Sequence, residues 1–163
     1  MTIEPKLIYK KYEIEPDREI WDNGDSITKI IKYTSQDQQE HFDLDTYNRF
    51  RKNNPTFVKI KKYNAYDDRC VIVMDKIKGT SASKYLKTES KDKIWNICII
   101  NYFKWMKAFL DFSKNNKQIY FHTDLNPANV IIDENSIPHV VDPDGIRWGE
   151  KTLFITRMQR LYF

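Results

Sequence analysis

His122-Thr123-Asp124-Leu125-Asn126-Pro127-Ala128-Asn129-Val130-Ile131-Ile132, followed by Val140-Val141-Asp142-Pro143-Asp144-Gly145, is the stretch on which the reading of this chain turns. Three oxygen-bearing side chains, Asp124, Asn129 and Asp142, fall at the edges of two short apolar runs. Those runs, 130–132 and 139–141, are separated by Asp133-Glu134-Asn135-Ser136, a natural turn. They predict a small hairpin with polar groups at its ends. Such oxygens suit a hard cation: magnesium takes one or two carboxylates and completes its shell with phosphate and water. Asp142 is the best carboxylate ligand, and Asn129 offers an amide oxygen. Asp124 is placed to orient an incoming hydroxyl and accept its proton.

Upstream, 90–115 predicts a long helix with a wide apolar stripe that includes Trp95, Cys98, Tyr102, Trp105 and Phe109, central to its part of the molecule. A short helix is expected at 83–86. Before it, Asp75-Lys76-Ile77-Lys78-Gly79-Thr80 is a polar connector. Strand-like runs occupy 57–60 and 70–74. A helix is expected over 38–52, with Glu40, Asp43, Leu44, Tyr47 and Phe50 on one face and Asn53-Asn54-Pro55 ending it. Runs 18–21 and 26–31 flank Asp22-Asn23-Gly24-Asp25, and an Asn-Gly turn there signals a hairpin. A sheet with one helix, then helices with a small hairpin, is an α+β, two-lobed order. It divides into an N-terminal lobe, 1–76, and a mainly helical C-terminal lobe, 77–163.

The segments at 122–132 and 140–145 resemble the catalytic loop and metal-binding motif of the protein-kinase-like superfamily. The closer likeness is to its aminoglycoside and choline phosphotransferase branch, where His-x-Asp-Leu-x-Pro-x-Asn and Asp-Pro-Asp-like runs are common. The resemblance follows 77–145 well and the N-terminal half loosely. It implies a kinase-like phosphotransferase that moves the γ-phosphoryl group of ATP, with Mg2+, to a hydroxyl on a small molecule or a protein. On that likeness Asp124 is the catalytic base, and His122 braces the loop. Asn129 and Asp142 hold the metal. Ile131 and Val141 floor the adenine pocket, and Met74-Asp75-Lys76-Ile77 is the hinge beside the base. The likeness also implies a strand lysine on the phosphates, paired with a helix acid. Lys29 is the choice and Lys32 the rival; strand alternation puts them on opposite faces, so only one serves. Asp43 and Glu40 are the candidate acids.

The pattern breaks in three places. Residues 9–17 contain no glycine, although glycines let backbone N–H groups approach phosphates closely. Thr123 stands where many protein kinases carry arginine, and Asp142-Pro143-Asp144-Gly145 replaces Asp-Phe-Gly. Only eighteen residues follow Gly145, so the C-terminal lobe is short. Its tail, 152–163, is expected to form one short helix or strand. Its apolar residues call for cover from its own lobe or from a second copy. The alternative to an enzyme is a pseudokinase, a binding or regulatory module.

Composition sets the frame. Over 163 residues, apolar types make up 40% and aromatics 14%, enough for a core. The charge of +4 suits phosphorylated ligands but forms no dense basic stripe, so nucleic acid is not indicated. Two cysteines in apolar runs read as reduced core thiols. No segment approaches a membrane span or a signal peptide, and the chain is expected to be cytoplasmic.

Overall fold

The computed structural model describes residues 4–11, 17–33, 42–85, 87, 91–152 and 154–155. It is mixed α and β, as expected, and divides into two units: 1–41 with 59–76, and 42–58 with 77–163. Among the described residues no helix is long and apolar enough to cross a membrane.

The first unit is an antiparallel five-stranded sheet. Its strands are β1 (Lys6–Lys11), β2 (Asp17–Asp22), β3 (Ser26–Lys32), β4 (Ile60–Ala65) and β5 (Arg69–Asp75), in the order β1-β2-β3-β5-β4. The turn between β2 and β3 is the expected one. Gly24 has φ 91°, a conformation that costs glycine nothing, and its N–H donates to Asp22 Oδ1 at 2.9 Å. Lys29 lies opposite Ile72, and Ile31 opposite Cys70. Cross-strand partners share a face, so Lys29 sits within the buried apolar side of the sheet, 4% exposed. Lys32 is on the other face, where its Nζ reaches Glu19 Oε1 at 3.1 Å.

The second unit contains α1 (Leu44–Lys52), β6 (Gly79–Ser81), α2 (Ala82–Tyr85), α3 (Lys91–Ser113), β7 (Ile119–His122), β8 (Val130–Asp133), β9 (Pro138–Val140) and β10 (Ile146–Gly149). Strands β6, β8 and β9 form one antiparallel sheet, and β7 pairs with β10. An aromatic cluster holds this unit together. The Phe50 ring stacks on Phe109 at 4.8 Å and meets Phe57, Phe112 and Tyr120 at 4.9–5.5 Å. Offset and edge-on ring pairs of this kind stabilise beyond their buried area.

Several expectations are corrected. Residues 42–58, assigned from sequence to the N-terminal lobe, belong to the second unit because Phe50 and Phe57 pack on α3 and β7. The helix expected over 38–52 begins at Leu44. Asp43 is its N-cap, its carboxylate accepting from Thr46 N at 2.9 Å and Thr46 Oγ1 at 2.6 Å. An acid in that role stands before the helix, not on its apolar face. Residue Glu40 and the tail beyond Ile155 lie outside the described residues. The strand expected at 57–60 is a single bridge from Phe57 to Val140, with Val58 N donating to Val140 O at 2.9 Å; β4 starts only at Ile60. Of the face expected on α3, Trp105, Met106 and Phe109 are buried and Cys98 and Tyr102 partly buried, while Trp95 at its start is 44% exposed.

Candidate functional site

The loop after β7 is built from local hydrogen bonds. Residues 119–122 are all buried and pair with β10, placing His122 opposite Ile146 at the strand end. His122 Nδ1 accepts from the Asp124 backbone N–H at 3.1 Å, which puts the ring's own proton on Nε2 in the neutral tautomer. Thr123 straps the loop to the segment after Asp142: its N–H and Oγ1 both donate to Gly145 O, at 2.7 and 3.0 Å. Gly145 is needed here for space. A Cβ at that position would lie 2.5 Å from His122 Cε1 and 2.9 Å from Nδ1.

Asn126 then caps the 3-10 turn Pro127–Asn129. Its Oδ1 accepts from Ala128 N at 2.8 Å and Asn129 N at 3.3 Å, while Nδ2 donates to Asp124 Oδ1 at 2.8 Å. One side chain thus shapes the turn and aims the carboxylate. Pro127 fits at the first position because its missing N–H has no helical partner to lose.

Asn129 joins the two acids. Its Nδ2 donates to the Asp124 carbonyl at 2.8 Å, lies 3.4 Å from Asp124 Oδ2, and lies 3.5 Å from Asp142 Oδ2. The Asn129 carbonyl accepts from Val141 N at 3.0 Å, fixing the register of Asp142. Asp142 heads the turn Pro143–Gly145 without spending its side chain on that cap. Asp124 is exposed, and Asn129 and Asp142 are partly so. Their oxygens are therefore accessible in a cluster of two negative charges.

The fold thus brings together four of the residues singled out from sequence: His122, Asp124, Asn129 and Asp142. Ile131, on β8 opposite His139 and Ser81, and Val141 are partly buried in the same unit, as is Ile77. Lys29, Met74 and Asp75 belong to the first unit. Asn126 and Gly145 were missed as positioning residues. The signal for Asn126 was an asparagine directly before proline at the start of a turn. No local signal marks Gly145, whose neighbour is a ring twenty-three positions away.

The donor set fits magnesium better than a metal caged by protein alone. Among the described residues no group of three or more His, Cys, Asp and Glu side chains could hold an ion. One carboxylate and one amide oxygen, with the Asn129 amino group committed to the Asp124 carbonyl, match an ion that takes its remaining ligands from phosphate and water.

No family model matches the sequence, and no curated protein is similar to it. Solved structures are similar in shape. The Cydia pomonella granulovirus kinase PK-1 superposes with a TM-score of 0.59 at 19% identity over 88% of this chain. The fold is protein-kinase-like. WbdD, in a co-crystal with a kinase inhibitor, gives a TM-score of 0.57 at 14% identity over 96% of the chain. A second WbdD structure gives 0.55 at 13% over 95%. The chain spans 55% of the length of the viral kinase and 36% of WbdD. None of these similarities singles out the aminoglycoside and choline phosphotransferase branch.

Proposed function

We propose that this chain is an ATP- and magnesium-dependent phosphotransferase acting on a hydroxyl acceptor. The observation that carries the reading is the junction at Asn129, whose amide nitrogen lies 3.4 Å from an Asp124 carboxylate oxygen and 3.5 Å from one of Asp142. In this reading Asp142 and the Asn129 amide oxygen hold the metal, which when bound neutralises charge on the phosphate oxygens. Asp124, aimed by Asn126, accepts the proton of the acceptor hydroxyl. His122 holds the Asp124 backbone in place. Lys29 is assigned to the phosphates on the family likeness, as the buried lysine of β3; Lys32 lies on the other face beside Glu19. Asp43 spends its carboxylate on the α1 cap, which weakens its claim as the partner of Lys29. Ile131 and Val141, with 74–77, are assigned to the adenine.

The pseudokinase alternative draws on the absence of glycine from 9–17. Both readings predict nucleotide binding, and only the first predicts turnover. The test is calorimetry of ATP with magnesium and with chelator, on wild type and Asp142→Asn. Magnesium-dependent heat that weakens at least about tenfold in the variant, or 1.4 kcal/mol, is the expected result. Equal binding in chelator, or none at millimolar ATP, defeats the proposal.

A further inference from the structure

The second unit holds a pocket of about 70 Å³ between the first half of α3 and the loop at 125–127. Trp95, Cys98, Ile99 and Tyr102 form its α3 wall, and Asn126 and Pro127 part of the other. None of these six belongs to the set assigned above to metal, phosphate or adenine. The wall is overwhelmingly apolar and reaches the surface at Trp95, which is 44% exposed. Its polar corner is Asn126, and that amide donates to Asp124 Oδ1 at 2.8 Å. A molecule in the pocket that touches Asn126 is therefore one side chain away from the carboxylate assigned to the acceptor hydroxyl.

We propose that this pocket is the acceptor subsite, and that it takes the small apolar tail of an alcohol whose hydroxyl reaches Asp124. The proposal rests on the phosphotransferase reading and narrows its substrate class. The enclosed space is small. A closed engineered cavity of about 150 Å³ holds benzene, so the roughly 70 Å³ within this half-open pocket seats a tail of about four carbons. Chemistry excludes a polyol. Sugar hydroxyls seated against this wall would lose their water and find few partners, a cost that rejects them. The same small enclosed space favours a short tail over a backbone segment of a partner protein. In the transfer step the acceptor O–H gives its proton to Asp124. Its oxygen forms the bond to the γ-phosphorus. The bond from that phosphorus to the β–γ bridging oxygen breaks, and ADP leaves with the electron pair.

The probe is 3-methylbutan-1-ol, with glycerol as the polyol control. Saturation-transfer NMR reads binding, and labelled γ-phosphate from ATP reads transfer, on wild type and on two variants that fill the pocket, Cys98→Phe and Ile99→Phe. Thermal melts check that each variant folds. The expected result is saturable alcohol binding to wild type, lost in a folded filled variant whose Mg-ATP heat is unchanged. Transfer to the alcohol should exceed transfer to glycerol at least tenfold. Absence of saturable binding, or binding to folded filled variants as tight as to wild type, overturns the pocket. Alcohol binding with Mg-ATP binding but no transfer to the alcohol overturns its acceptor role. Alcohol binding without any Mg-ATP heat instead defeats the phosphotransferase reading and leaves the pocket as an apolar ligand site.

Discussion

Gly145→Ala tests how the loop is held. The added Cβ would stand 2.5 Å from His122 Cε1 and 2.9 Å from Nδ1, whereas carbons rest about 3.5–4.0 Å apart. The ring must give way by about 1 Å, and at 5% exposure it has little free space to enter. Such a shift carries Nδ1 beyond reach of the Asp124 N–H, now 3.1 Å away. Overpacking costs about 1–3 kcal/mol, and the lost hydrogen bond about 0.5–1.5 kcal/mol. Against this, Gly145 lies outside the left-handed region, so alanine gains about 0.4–1 kcal/mol from a less disordered unfolded chain. The net expectation is a loss of about 0.5–4 kcal/mol, centred near 2. Urea denaturation at constant m-value measures it, and a double-mutant cycle isolates it. With the ring removed in His122→Ala, Gly145→Ala should become neutral or slightly stabilising. A single variant within about 0.5 kcal/mol of wild type, or an equal loss in both backgrounds, would refute the steric argument.

Asp124→Asn should lower phosphoryl transfer by about 10²–10⁴-fold and leave Mg-ATP affinity unchanged, opposite to Asp142→Asn; steady-state kinetics with calorimetry separate the two, and equal loss of ATP binding in both would overturn the division of roles. Tyr47→Phe removes the buried hydroxyl that donates to Val58 O at 2.6 Å, a phenol whose pKa burial pushes up and which therefore stays a donor. It should cost about 1–3 kcal/mol in urea melts. Asp133 is held below the usual carboxylate range by the His139 hydrogen bond first, then by the backbone N–H groups of Ile137 and Asn135. A carboxyl depressed by folding gives stability that is complete above its unfolded value of about 3.9 and lost as pH falls through the folded value. The urea midpoint of Asp133→Asn should therefore fall less than that of wild type below about pH 4, and parallel curves would refute the assignment.

The site was legible because its chemistry is local. Asp124 and Asn129 lie within six residues, and the turn between them, capped by an Asn126 whose role was not foreseen, brings their side chains together without distant help. The β2–β3 hairpin was legible for the same reason, since Asn23-Gly24 carries its own turn conformation. Strand alternation placed Lys29 and Lys32 on opposite faces, and the register of β3 shows that separation, with Lys29 buried and Lys32 beside Glu19. Elements whose partners are far away in sequence were not legible. Strands β7 and β10 pair across more than twenty residues, and neither run alternates in a way that marks a strand. The start of α1 was misplaced because Asp43 reads equally well as a helical acid or a cap, and only the bond to Thr46 decides.

By itself, the sequence determined the turn at 126–129, the Asn-Gly hairpin and the alternation of β3, all set by contacts spanning a few residues. Only the tertiary structure decided that 42–58 joins the second unit, that Gly145 must lack a side chain beside His122, and that α3 and the 125–127 loop enclose a pocket. Each of those depends on rings or backbone brought together across long stretches of chain. Packing at close range, not residue type, sets which pairs meet.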